Sequence, residues 1–122
     1  MAEQSRNLVV VMTHGAEHEL SSVAFTVANG GITAGLQVSI FLTSASVDLV
    51  RKNAVSMTHA SPMEPLEEMI NDFLARGGNL WACPPCVKGR GYGQEDLIDG
   101  VEIVGASRMH ELIQQGAATL TF

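Results

Sequence analysis

Two short runs of apolar, mostly β-branched residues set the frame: Leu8 to Thr13 (LVVVMT) and Leu36 to Thr43 (LQVSIFLT). Continuous runs of this length predict buried strands. Between them Leu20, Ala24, Val27, Ala28 and Gly31 recur at helical spacing, and Gly30, Gly31 and Gly35 mark where that helix frays and stops. Segment 44–63 is less regular and predicts one helical turn around Val47 to Arg51, then loop. From Glu64 the pattern sharpens. Pro65 suits a first helical position, Glu67 and Glu68 complement the N-terminal dipole, and Leu66, Met69, Ile70, Phe73 and Leu74 form one stripe, with Arg76-Gly77-Gly78 as the stop.

Leu80-Trp81-Ala82 predicts a third strand ending at Cys83, and Val101 to Val104 a fourth. Ser107 is placed to cap a helix with Met109, Leu112 and Ile113 on its apolar stripe, Gly116 ends it, and Ala118 to Phe122 gives a fifth strand. Strands alternating with helices predict a single α/β domain over residues 1–122, with a mostly parallel five-stranded sheet covered on both faces.

Composition narrows the partners. The 122 residues carry a formal net charge of −6, with only 16% charged and 46% hydrophobic residues. That balance argues against disorder and against a broad nucleic-acid-binding face. No apolar run approaches the roughly 20 residues of a membrane span. The polar start MAEQSRN passes straight into LVVVM without the pattern of a signal peptide, so the expected compartment is the cytoplasm. There, two cysteines at C-x-x-C spacing read as reactive or ligating rather than as a permanent disulfide.

In an open α/β sheet, chemistry gathers outside the carboxyl ends of the strands. After the first strand comes His14-Gly15-Ala16-Glu17-His18; after the second, Thr43-Ser44 and the loop that reaches His59; after the third, Cys83 to Arg90. A residue before proline is pushed out of the α region, so Cys83 and Pro84 are expected to be extended, with Pro85 the earliest helical residue and Cys86 in the first helical turn. A helix start favours a thiolate by only about 0.3–1 kcal/mol, so activation needs a cation such as Lys88, Arg90 or a first-loop histidine, His14 being the best placed.

Several readings of these residues compete. Buried structural thiols are one, since free cysteine is often buried. His14 and His18 with Cys83 and Cys86 would make a four-ligand zinc set. A thioredoxin-type exchange site is disfavoured because its motif follows the first strand of the core. Gly89-Arg90-Gly91-Tyr92-Gly93 is a weak phosphate signal, since the dinucleotide fingerprint should follow the first strand. No cofactor is indicated.

The order of features resembles the DsrE/DsrF-like sulfur-relay family: Thr13-His14-Gly15 after the opening strand, then GLQVSIFLT, VDLVRK, and ACPPCVKGRG followed by EDLIDGVEIVG. The similarity runs from about Asn7 to Phe122. It implies a flavodoxin-like three-layer α/β sandwich, often assembled as a homo-oligomer of three or six subunits, in which a cysteine carries sulfur as a persulfide between donor and acceptor proteins in the manner of a sulfurtransferase. The position matching that cysteine is Cys83, with Arg90-Gly91 as the following Arg-Gly pair. Cys86 matches the second cysteine of the family's C-x-x-C branch, and the expectation is that it resolves the persulfide. His14 and Arg90 are expected to assist at the substrate. Other expectations from the same residues are a non-catalytic oligomeric module holding a small ligand or metal, and a thiol-disulfide redox protein.

Overall fold

A computed structural model describes residues 6–122; the polar start before Arg6 lies outside the described residues. Among the described residues five strands form one all-parallel sheet: β1 (Asn7–Met12), β2 (Gln37–Leu42), β3 (Asn79–Ala82), β4 (Val101–Ile103) and β5 (Ala118–Thr121). Their order across the sheet is β4-β3-β2-β1-β5. Four helices connect them: α1 (Glu19–Thr33), α2 (Leu66–Ala75), α3 (Pro84–Gly89) and α4 (Ser107–Gln114), together with 3₁₀ segments at Ser44–Val50 and Gln94–Asp96. No helix among the described residues is long and apolar enough to cross a membrane.

This order decides which face each helix covers. From β1 to β4 the chain steps one strand at a time in one direction, and parallel crossovers are right-handed, so α1, α2 and α3 fall on the same face. The last crossover runs back to the far side of β1, which puts α4 on the opposite face. Register confirms the two layers. Leu120, Val10, Ile40, Leu80 and Val101 form one row across all five strands, facing α1 and α2. Val11, Phe41 and Trp81 form a row on the other face, where Arg108 of α4 lies 5.7 Å over the Trp81 ring.

The α1–α2 face holds the main core. Phe25 and Phe73 meet edge to face with ring centroids 5.8 Å apart, both fully buried. Gly77 provides the left-handed turn after α2 at φ +91°, and Gly78 carries no Cβ where the Phe73 ring lies. Polar ties reinforce the pair: Arg76 donates to Thr33 Oγ1 at 2.7 Å and Asn29 Nδ2 donates to the Met69 carbonyl at 3.1 Å.

Several local expectations shift. The Gly30-Gly31 pair does not end α1, which continues to Thr33; a Cβ on Gly31 would meet Val38 at 3.0 Å and Leu8 at 3.2 Å, so this glycine lets the helix press onto β1 and β2. The buried stripe of α1 contains Ser21, Ser22 and Phe25 beside Ala24 and Ala28, while Val27 points outward. The turn expected at Val47–Arg51 is a 3₁₀ segment that begins earlier, at Ser44. Pro65 is the extended cap before α2 rather than its first residue. Pro84 opens α3, one residue earlier than expected, because its fixed φ suits a first helical position. Ser107 is already inside α4 and makes no capping bond; Ala106 holds the cap position.

Candidate functional site

The thiol corner forms where the carboxyl ends of β2 and β3 lie side by side. Cys83 N–H donates to the Leu42 carbonyl at 3.0 Å, which prolongs the β2–β3 ladder and fixes Cys83 at the strand end. Its backbone is extended, as the following proline requires (φ −62°, ψ 123°). Its carbonyl then accepts the first bond of α3, from Val87 N–H at 3.1 Å. One turn of helix carries Cys86 back toward the loop after β2.

There the two segments meet. Ser44 N–H donates to Cys86 Sγ at 3.2 Å. Ser44 sits at φ +51°, a left-handed conformation that costs a non-glycine residue about 1–2 kcal/mol. Its neighbours hold it in place. The Met12 carbonyl accepts from Thr43 N–H at 3.0 Å, from Thr43 Oγ1 at 2.8 Å and from Ser46 Oγ at 2.8 Å, and Ser46 Oγ also donates to the Thr43 carbonyl at 2.7 Å. The donor facing Cys86 is thus anchored to the ends of both central strands.

Both cysteines are reduced and half-buried. Burial raises the Cys83 pKa above the ordinary thiol value, and the neighbouring Cys86 thiol raises it further. The Cys86 N–H leans toward Cys83 and pulls the other way by less; the Cys83 side chain closes no capping hydrogen bond. The surroundings of Cys83 therefore disfavour its thiolate.

Arg90 caps the carboxyl end of α3 and is committed to neighbours. Its NH1 donates to the Cys86 carbonyl at 3.3 Å, and its Nε lies 3.5 Å from Asp48 Oδ1. The same Asp48 oxygen accepts from Tyr92 Oη at 2.7 Å, a bond that raises the tyrosine pKa, while Arg51 lies 5.5 Å over the Tyr92 ring. The guanidinium thus steadies the backbone of Cys86 and shares an acidic partner with Tyr92.

The histidines form a separate group. The His14 ring stacks on His18 with centroids 3.9 Å apart, and His18 Nδ1 accepts from Leu20 N–H at 3.1 Å as the cap of α1. No hydrogen bond joins the His14 ring to either thiol among the described residues. His59 bonds the Met63 carbonyl at 2.7 Å and shares a groove with Glu17, His18 and Glu19 that neither cysteine lines. No group of three or more His, Cys, Asp or Glu side chains among the described residues is arranged to hold a metal ion. The four-ligand set of His14, His18, Cys83 and Cys86 is accordingly not assembled.

Sequence reasoning brought out Cys83, Cys86 and Arg90, and the structure gathers these three on and around α3. It brought out no role for the Ser44 N–H, for Asp48 or for the Tyr92 hydroxyl. A serine directly after the second strand was the one available signal for the first. Nothing local marks Asp48, which meets Tyr92 across 44 positions of sequence.

An uncharacterized protein of Methanopyrus kandleri is 32% identical over 100 residues, covering 82% of this chain and 75% of the relative. An uncharacterized protein of Methanocaldococcus jannaschii is 27% identical over 106 residues, covering 87% of this chain and 85% of the relative. The crystal structure of the YchN protein from E. coli superposes with a TM-score of 0.78 at 21% identity, over 98% of this chain and all of that one. A protein of unknown function from Methanobacterium thermoautotrophicum superposes with a TM-score of 0.72 at 15% identity, over 98% of this chain and 100% of its own. Both structures share the fold. With a family match that spans residues 6–122, the chain belongs to the DsrE/DsrF-like family.

Proposed function

We propose that this protein handles sulfane sulfur: the Cys83–Cys86 pair takes a sulfur atom from a persulfide donor and passes it on. Family membership supports a role connected with sulfur relay. The observation that carries the reading to these residues is the Ser44 N–H aimed at Cys86 Sγ, beside a second reduced thiol. A sulfur acceptor attacks as thiolate and then carries an anionic persulfide, and a fixed N–H donor stabilises negative charge in both states.

The chemistry needs no external oxidant. A cysteine thiolate attacks the outer sulfur of a donor R–S–SH, a new S–S bond forms, and the donor leaves as R–S⁻. Arg90 contributes by holding the Cys86 carbonyl. The donor and acceptor in this reading are proteins that dock at the carboxyl edge of the sheet, in the reducing cytoplasm. Assembly into a homo-oligomer of three or six subunits belongs to the same reading, and native mass spectrometry measures it.

The test is intact mass after brief exposure to a small-molecule persulfide. The wild-type protein is expected to react and the Cys83→Ser/Cys86→Ser protein to stay inert, reaction being read as a gain of about 32 Da, one sulfur atom, or as loss of about 2 Da on disulfide formation. A wild-type protein that does neither removes the reading.

A further inference from the structure

The two thiols differ in surroundings, and the difference orders their chemistry. Cys86 Sγ accepts a hydrogen bond from Ser44 N–H at 3.2 Å, whereas at Cys83 the Cys86 N–H only leans toward the thiol and closes no capping bond. Ser44 sits at φ +51° between Thr43 and Ser46, both tied to the Met12 carbonyl, so its donor does not have to be ordered when charge develops on the sulfur. Backbone strain concentrated beside a reactive side chain is a common mark of a functional constraint. Resting on the sulfur-handling reading above, we propose that Cys86 makes the first bond to the incoming sulfur, and that Cys83 then resolves it, releasing hydrosulfide and leaving a Cys83–Cys86 disulfide.

This order reverses the one suggested by strand-end placement, in which Cys83 accepts and Cys86 resolves. The steps balance. Cys86–S⁻ attacks the outer sulfur of R–S–SH, giving Cys86–S–SH and R–S⁻. The bound persulfide ionises to Cys86–S–S⁻. The Cys83 thiol gives its proton to that outer sulfur, the resulting Cys83–S⁻ attacks Cys86 Sγ, and the bond to the outer sulfur breaks so that it leaves as HS⁻. Two cysteine sulfurs are oxidised and one sulfane sulfur is reduced to sulfide, by two electrons in all. A dithiol reductant restores the pair by exchange.

Position favours these roles. Cys83 lies three residues before Cys86, at the strand end where α3 begins, so a disulfide closes within one turn. Burial disfavours the Cys83 thiolate, which suits Cys83 to the second step and leaves it a proton to give the departing sulfide. The sulfur that the pair passes on thus leaves as hydrosulfide, and the protein that follows is a dithiol reductant acting on the disulfide in place of an acceptor of persulfide sulfur.

Single variants separate this order from its reverse. Each protein is mixed with cysteine persulfide, and mass, peptide position and free sulfide are read together. The Cys83→Ser protein is expected to hold about 32 Da on Cys86, the Cys86→Ser protein to gain less than a tenth as much, and the wild type to release about one equivalent of sulfide while losing about 2 Da. Sulfur trapped on Cys83 in Cys86→Ser, with Cys83→Ser inert, overturns the order but leaves sulfur handling intact. Equal trapping in both overturns the division of labour in the same way. A wild type that keeps its sulfur and releases no sulfide overturns the resolving step. Inert single variants and an inert wild type together remove the underlying reading.

Discussion

The two faces of the sheet are covered very differently. Against α1 and α2 lie Phe25, Phe73, Leu66 and Ile70, all with essentially no exposed surface. Against α4 the strands bury Val9, Phe41 and Trp81, but no residue of α4 itself is buried and Ile113 is 37% exposed. The cause is topological, because three right-handed crossovers share one face and one crossover serves the other. Stability is therefore concentrated on the α1–α2 face, and the thiol corner is built at the end of the same layer, where α3 packs Val87 into that core.

The largest expected effect is on the dense face. Phe73→Ala removes a fully buried ring that packs edge to face on Phe25, and it should cost about 3–5 kcal/mol in denaturant unfolding. A loss below about 1 kcal/mol would break the claim that this face holds the fold. Next comes Ser46→Ala, which deletes the buried hydroxyl shared by the Met12 and Thr43 carbonyls; it should cost about 0.5–1.5 kcal/mol, since both acceptors keep other donors, Thr43 N–H and Oγ1 for Met12 and Ser46 N–H for Thr43.

Tyr92→Phe comes third, at about 0.5–1.5 kcal/mol, through loss of the bond to Asp48. Its pH dependence sharpens the point. The folded tyrosine pKa is raised, so the folded state holds the phenolic proton more tightly than the unfolded chain. This contribution is complete below the unfolded value of about 10 and is lost as pH rises through the folded value, so the gap between wild type and Tyr92→Phe should narrow in strong alkali. Unfolding curves at neutral and alkaline pH measure it. At the sparse face, Ile113→Ala should change stability by no more than about 0.5 kcal/mol in the isolated chain. A loss like that of Phe73→Ala would mean that α4 is as firmly packed as α2.

The same contrast explains what could be read from sequence. The rows through Val10, Ile40 and Leu80 come from apolar runs long enough to declare themselves, and the stripe from Leu66 to Phe73 has unbroken helical period. Strand number, parallel direction and the place of Cys83 at a strand end all follow from those patterns. Element ends were harder. Pro65, Pro84 and Ser107 each fit two adjacent positions, and tertiary contacts chose between them. Gly31 looks like a helix stop until β1 and β2 are placed beneath it.

For the site, the spacing of Cys83, Pro84, Pro85 and Cys86 was enough to show that the thiols differ. Their unequal surroundings were not legible, because the Ser44 donor lies 42 positions away and is a backbone group with no side-chain signature. Arg90 was identifiable as a charge near the thiols, but its partner Asp48 sits in the 3₁₀ segment after β2. His14 was placed correctly at the end of β1, yet its ring finds His18. Chemistry supplied by side chains close in sequence was readable, and chemistry supplied by the meeting of distant loops was not.

The central claim is that the fold, and not merely the presence of two cysteines, prepares this corner for sulfur. The most direct measurement is the initial rate of reaction with cysteine persulfide at neutral pH for the Cys83→Ser protein, folded and in urea that unfolds it. The folded protein is expected to gain sulfur on Cys86 roughly tenfold faster or more, as the ordered Ser44 donor requires. Equal rates, or a faster unfolded chain, would contradict it.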